Sequence, residues 1–306
     1  MKVSVVIPAF NEENNILPLT KQLKEVLQDD FEVLFVDDGS TDSTLDVLKQ
    51  LHQKDNRFRY LSFSRNFGHQ NAIKCGIDYA TGECIITMDA DLQHPPSLIP
   101  EMISKWREGY DIVYTQRIEE KEISFFKRCS SSFFYSLMNK LSDVKLDPGS
   151  ADFRLVDQRV AEVIRNTNES NLFIRGFVSW MGFRQHRITY HAAPRHSGKT
   201  KYSFRKMFSF ALNGITSFSI KPLRFSIVMG MLISFFAFIY AMYAVVLYMF
   251  FPERAVAGWA SVLVSVLFMG GIQLLFLGVL GEYLGKLFMQ SKNRPTYIVK
   301  EKSLHD

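Results

Sequence analysis

Residues 84–96 read Cys-Ile-Ile-Thr-Met-Asp-Ala-Asp-Leu-Gln-His-Pro-Pro. Cys84 to Met88 is a short apolar run that stops at Asp89-Ala90-Asp91 and the turn-forming Pro95-Pro96. Such a run, bounded by turn residues, predicts a buried strand with a polar carboxyl end. The same pattern recurs upstream. Lys2 to Ala9 is a Val/Ile run ending near Pro8, followed by Asn11-Glu12-Glu13. Phe31 to Val36 is a second buried strand, closed by Asp37-Asp38-Gly39-Ser40, and Arg59 to Ser62 is a short third. Between them lie segments with helical spacing: Asn14 to Leu27 (apolar at Ile16, Leu19, Leu23, Val26 and Leu27), Ser43 to His52, and Asn71 to Ala80. Strands alternating with helices predict an α/β fold with a mostly parallel, doubly wound sheet. In such sheets ligands bind beyond the carboxyl ends of the strands, and the polar clusters fall there.

Asp89 and Asp91 are two residues apart at a strand end, so period-two geometry points both carboxylates to one side. Two aligned carboxylates suit Mg²⁺ or Mn²⁺, whose shell substrate phosphates would complete. An isolated Asp-x-Asp is equally a turn. Asp37-Asp38-Gly39-Ser40-Thr41-Asp42 also has two readings: a strand-to-helix turn with Ser40 or Asp42 capping the next helix, or a nucleotide contact through Asp37. Asn11-Glu12-Glu13 could be no more than a helix start.

The chain has 306 residues, 47% of them hydrophobic, with a net charge of +5 and a pI of about 9.0. The charge is unevenly spread. Residues 225–251 and 259–280 are nearly uncharged, and each exceeds the ~20 residues needed to cross a ~30 Å hydrocarbon core. The link between them carries Pro252, Glu253 and Arg254, whereas Lys221, Arg224, Lys286, Lys292, Arg294 and Lys300 flank the pair. The positive-inside rule then predicts a transmembrane hairpin with both flanks cytoplasmic. Met1 leads straight into a strand-like run, so no secretory signal is expected and the preceding region should be cytosolic. The division expected is a domain over 1–220, two membrane helices within 221–285 and a basic tail over 286–306. Residues 124–141, rich in Phe and basic side chains, read either as a helix in the membrane interface or as a core-facing one. Cys75, Cys84 and Cys129 have no metal-type spacing and read as free thiols. The basic residues cluster beside the apolar segments and no nucleic-acid motif is present, which favours an anionic lipid surface over DNA as the partner. No Gly-x-Gly-x-x-Gly follows the first strand, which disfavours a dinucleotide-binding oxidoreductase. Two spans without a mid-depth charge disfavour a transporter.

Taken in order, Val-Ile-Pro-Ala-Phe-Asn-Glu-Glu (6–13), Val-Asp-Asp-Gly-Ser-Thr-Asp (36–42) and Met-Asp-Ala-Asp-Leu-Gln-His-Pro-Pro (88–96) resemble glycosyltransferase family 2. Within it the chain is similar to the polyprenyl-phosphate glycosyltransferases, both dolichol-phosphate mannose synthases and bactoprenol glucosyltransferases. The likeness continues through Asp152-Phe153-Arg154, Gly198-Lys199-Thr200-Lys201-Tyr202 and Lys292-Asn293-Arg294-Pro295-Thr296-Tyr297. It implies a GT-A, Rossmann-like cytosolic domain followed by interfacial helices and the two-helix hairpin. It also implies inverting transfer of a hexose from a nucleotide-sugar to a polyprenyl phosphate. The two-span form points to a UDP-sugar such as UDP-glucose, with GDP open, and to undecaprenyl phosphate as acceptor. Carried over by position, Pro8, Phe10, Glu12 and Asp37 hold the nucleoside. Asp89, Asp91 and Gln93 hold the metal and donor diphosphate, and Arg117 faces the phosphates. Arg128 and Ser132 match positions for the lipid phosphate, which Lys201 also reaches, and Arg195 adds positive charge there. Asp152 matches an acidic position read as a base, or it orients a substrate. His94 is expected in a structural or donor-proximal role rather than as a metal ligand. Thr200 stands where the family often has Ser, which keeps the hydroxyl, and Gln116 where it often has Ser, which weakens the match at Arg117. A processive polysaccharide synthase would carry Gln-x-x-Arg-Trp, which is absent here. An inactive nucleotide-sugar-binding membrane protein is disfavoured by the intact Asp89/Asp91 pair. A homo-oligomer is expected by family analogy, with Gly270-Gly271 and Gly278 as packing faces.

Overall fold

The computed structural model describes residues 2–27, 30–118, 150–169, 172–191, 219–250 and 258–303. Two compact units emerge, one built on a sheet and the other on long helices.

The sheet-based unit begins with β1 (Val3–Ala9), α1 (Ile16–Val26), β2 (Phe31–Asp37), α2 (Thr44–Lys54), β3 (Phe58–Phe63), α3 (His69–Tyr79) and β4 (Cys84–Thr87). It continues through α4 (Ile99–Arg107), β5 (Ile112–Ile118), β6 (Ser150–Asp157), α5 (Gln158–Arg165), α6 (Ile174–Trp180), β7 (Gln185–His191) and β8 (Val299–Lys302). Eight strands form one sheet in the order β7-β5-β6-β4-β1-β2-β3-β8. The expected parallel block is there: β1 pairs parallel with β2 and β4, and β2 with β3. Two strands run against it. β6 is antiparallel to both β4 and β5, and β8 is antiparallel to β3.

β1 and β2 are buried along their whole length, which their nearly unbroken apolar runs require. Alternate side chains feed two cores. Val5, Ile7, Val33, Phe35 and Ile86 pack on one face, and Val6, Leu34, Val36 and Ile85 on the other. α3 lies tight on the second face, where a Cβ at Gly76 would come within 2.1 Å of Val6 Cγ1. Glu32, a charged residue buried within β2, is compensated. Its carboxylate accepts from Ser4 Oγ (2.6 Å) and from Thr81 N and Oγ1 (2.8 Å each), and pairs with Arg59 (3.0 Å). Burial opposes its ionisation, but these hydrogen bonds hold its pKa below the usual value.

The tail differs from the expectation of a separate basic segment over 286–306. Residues to Ser291 continue a helix, and Val299–Lys302 return to the sheet as an edge strand. Two contacts recruit it. Tyr297 stacks on Phe63 with ring centroids 5.3 Å apart and donates its hydroxyl to Asp78 (2.7 Å). Beyond the strand, Ser303 Oγ accepts from Tyr60 N (2.8 Å). The alternating charges of Val-Lys-Glu-Lys protect the exposed edge.

The helical unit contains α7 (Lys221–Phe250) and α8 (Trp259–Ser291). Leu223–Tyr243 and Val264–Ser291 are candidate membrane spans by length and composition, each with a mean hydropathy of 2.1. Water would not tolerate such continuous exposed apolar surface on a soluble monomer. α8 extends past the expected end at Leu280, and Tyr283 donates its hydroxyl to the Ser219 carbonyl (2.6 Å) just before α7. The Phe-rich segment 124–141 lies outside the described residues.

Candidate active site

The carboxyl ends of β1, β2, β3 and β4 meet on one side of the sheet, and their loops are laced together. Asn11 adopts a left-handed φ of 57° after β1. Its N–H donates to Ser40 Oγ (3.0 Å) and its side-chain oxygen accepts from Thr41 N (2.8 Å). Glu12 N donates to Thr44 Oγ1 (2.9 Å), and Glu13 accepts from Ser43 N (3.0 Å). The Asn-Glu-Glu motif therefore binds the β2–α2 loop more than it caps α1.

Asp37 is buried, accepting from Ser40 N (3.0 Å) and Ser62 Oγ (2.7 Å). Asp38, also buried, reaches the other way and accepts from Phe67 N (2.6 Å) and Gly68 N. Burial outweighs those bonds and raises the Asp38 pKa. Gly39 cannot be replaced cheaply. Its φ is +70°, and a Cβ would sit 2.6 Å from the Arg65 carbonyl carbon.

Asp89 and Asp91 follow β4, in a turn closed by Gln93 N donating to Asp91 Oδ1 (3.1 Å), with Leu92 at φ 62°. A bulky residue in that region marks a constrained turn. Asp89 Oδ1 accepts from His69 Nε2 (2.8 Å). His94 accepts the Asp89 N–H at Nδ1 (3.1 Å), stacks on Phe153 and has Nε2 3.8 Å from Asp89 Oδ2. His94 is thus buried as a buttress of the Asp89 backbone. Burial lowers the tendency of His69 to protonate, but Asp89 at hydrogen-bond distance and Asp152 beyond it raise its pKa overall. Burial also disfavours the ionised Asp89, and the His69 hydrogen bond reverses this and lowers its pKa. Glu12 is half-buried; desolvation raises its pKa, Asn15 opposes this, and Asp91, Asp42 and Asp89 add to the rise. Among the described residues, no group of three or more His, Cys, Asp or Glu forms a ready metal cage. The donor set at Asp89 and Asp91 is two hard carboxylates, which fits Mg²⁺ or Mn²⁺ sharing its shell with a diphosphate.

Asp152 sits on β6 with 6% of its side chain exposed. Arg175 grips it through two bonds of 2.7 Å, Gln70 Nε2 lies at 3.4 Å, and Arg154 at 3.7 Å. Burial would raise its pKa, but the Arg175 charge and fork hold it well below the usual carboxylate range. A carboxylate so stabilised is a poor proton acceptor. Burial pushes Arg154 down to about 10.

Of the remaining predicted residues, Pro8 is buried inside β1, Phe10 is 45% exposed beside it, and Gln93 is half-buried in the Asp91 turn. Arg117 is exposed near the end of β5, opposite Tyr190 on β7. Arg128, Ser132, Arg195 and Lys201 lie outside the described residues. Sequence reasoning missed His69, Gln70, Arg175 and Tyr190. The first two had a signal: Arg65-Asn66 and His69-Gln70 follow β3 as the other polar clusters follow their strands. Arg175 and Tyr190 had none. Tyr190 is buried and edge-on to His94; desolvation pushes its pKa up to about 12, with Arg117 opposing and Asp89 and Asp91 adding to the rise.

The family model for glycosyl transferase family 2 matches residues 4–165. An uncharacterised glycosyltransferase of Bacillus subtilis is 42% identical, covering 98% of this chain and 94% of that protein. A prophage bactoprenol glucosyl transferase homolog of Escherichia coli is 41% identical (98% and 99% covered). The bactoprenol glucosyl transferase of Shigella phage SfV is 39% identical (98% of each). Among solved structures, a mannosyltransferase from Pyrobaculum calidifontis in complex with GDP-Man and Mn²⁺ superposes with a TM-score of 0.51 at 17% identity. That match covers 72% of this chain and 64% of the other, less than two thirds of its length, and supports the GT-A-like fold alone. With a family match over more than half its length and relatives aligned nearly end to end, the chain belongs to glycosyl transferase family 2 and is a glycosyltransferase.

Proposed function

We propose that the protein transfers a hexose from a UDP-sugar, of which UDP-glucose is the first candidate, to undecaprenyl phosphate, with inversion at the anomeric carbon. The observation that carries this reading is near-full-length identity of 39–41% to proteins named for bactoprenol glucosyl transfer, in a chain with two candidate membrane spans. The spans would form a hairpin that keeps the catalytic unit and both termini in the cytoplasm.

The acceptor phosphate has a second pKa near 6, so its oxygen is already largely anionic at pH 7. It needs positioning rather than a strong base. This suits Asp152, whose ion pair with Arg175 makes it an anchor of the site rather than a proton acceptor. Pro8, Phe10, Glu12 and Asp37 would hold the nucleoside, and Arg117 would orient the phosphates. Arg128, Ser132, Arg195 and Lys201 would offset repulsion between two phosphate-bearing substrates. Asp89, Asp91 and Gln93 would hold Mg²⁺ or Mn²⁺, which when bound stabilises charge on the departing nucleoside diphosphate.

The test uses purified full-length protein, undecaprenyl phosphate, Mn²⁺ or Mg²⁺, and radiolabelled UDP- and GDP-sugars. Label from one donor entering the organic phase, and lost on EDTA addition, is the expected result. Label in a polymer instead indicates a processive synthase. No label from any donor, with nucleotide binding intact, refutes the proposed donor and acceptor.

A further inference from the structure

We infer that His69 is a positioning residue of the donor site, holding one oxygen of Asp89 so that the other, with Asp91, faces the divalent cation and diphosphate. The inference rests on the metal reading above. His69 Nε2 lies 2.8 Å from Asp89 Oδ1. Asp89 Oδ2 is left with His94 Nε2 at 3.8 Å, too far for a hydrogen bond. One carboxylate oxygen is therefore committed and the other is oriented by it. Carboxylates that ligate metals are commonly held this way by neighbours that do not touch the ion.

The placement of His69 is itself built. It is the first residue of α3, after Gly68 at φ +98°. The turn before it hangs on Asp38, which accepts from both Phe67 N and Gly68 N. Gly39 lets the β2 turn approach the Arg65–Asn66 backbone. Behind the ring, Gln70 takes the Ile174 N–H at Oε1 (3.0 Å) and points Nε2 toward His69 Nδ1 and Asp152 Oδ2 (3.4 Å each). This gives a use to Asp38 and Gly39: they present His69 to Asp89.

The experiment measures Mn²⁺ binding to the full chain in detergent, with UDP present, from the electron paramagnetic resonance signal of free Mn²⁺. His69→Ala should weaken Mn²⁺ binding by about tenfold or more. His69→Gln, whose amide nitrogen can occupy the Nε2 position, should recover most of that loss. The side chain is 44% exposed at the helix start, so both variants should fold. Should His69→Ala fail to fold, parent-like binding in His69→Asn, which is too short to reach Asp89, overturns the inference. Binding by His69→Ala within about twofold of the parent, while Asp91→Asn loses it, overturns the role of His69 alone. Parent-like binding in Asp91→Asn as well overturns the metal reading and the inference together.

Discussion

Removing Arg175 tests the central electrostatic claim about the site. In Arg175→Ala the Asp152 carboxylate, 6% exposed in the parent, loses both 2.7 Å bonds. Breaking a buried pair by deleting one partner costs about 3–5 kcal/mol, because the remaining charge is uncompensated. Arg175 is 35% exposed, which screens the pair and puts the expected loss at the lower end, about 3 kcal/mol. For a domain of this size that is a fall of about 6–12 °C in melting temperature. The assay is thermal unfolding in detergent followed by tryptophan fluorescence, since Trp106 and Trp180 both lie in the sheet-based unit. Adding Asp152→Asn removes the carboxylate that Arg175 compensated but leaves buried Arg154 without its counter-charge, so the two changes should not add. The pH dependence has a definite sign. In the parent, Asp152 is depressed below its unfolded pKa, so its ionised form contributes stability above the ordinary carboxylate range. That contribution is lost only as pH falls through the lower folded value. Without Arg175, only Arg154 and His69 are left to oppose burial, so the depression is weaker and the deficit of the variant should shrink on acidification. A loss below about 1 kcal/mol at neutral pH, or strictly additive effects in the double variant, refutes the buried-pair account.

Gly39→Ala should destabilise by about 2–4 kcal/mol, since a positive φ and a Cβ 2.6 Å from backbone must both be accommodated; an unchanged melting temperature contradicts this. Tyr297→Phe should cost about 1–2 kcal/mol by removing the 2.7 Å bond to Asp78, with faster amide exchange at Val299–Lys302 as the local readout. Asp91→Asn should cut transfer by on the order of 100-fold while the protein stays folded and membrane-bound; near-normal activity at saturating Mg²⁺ or Mn²⁺ removes its metal role. Arg128→Ala should raise KM for the lipid acceptor more than for the nucleotide-sugar, and equal losses for both substrates would show that its role is misassigned.

Much of the architecture was legible in residue order, because apolar runs and helical periodicity are local patterns. The parallel strands, the Asp89/Asp91 turn and the two apolar helices all follow from neighbours within a few positions. The antiparallel β6 was not legible, since strand direction within a sheet depends on its partners β4 and β5. The tail read as a basic segment because its charges are visible, while the stacking of Tyr297 on Phe63 is not.

The sequence by itself determined the fold class, the family and the carboxylates at the strand ends, since each is written in short contiguous motifs. Only the tertiary structure decided which partners those carboxylates meet. Asp37 and Asp38 are adjacent yet turn to different partners, and Asp152 is ion-paired because Arg175, 23 positions away, folds onto it. Asp89 meets His69 across 20 positions, and Asp78 meets Tyr297 across 219. A side chain's charge state and aim are set by what the chain brings against it, and those partners come from distant parts of the sequence.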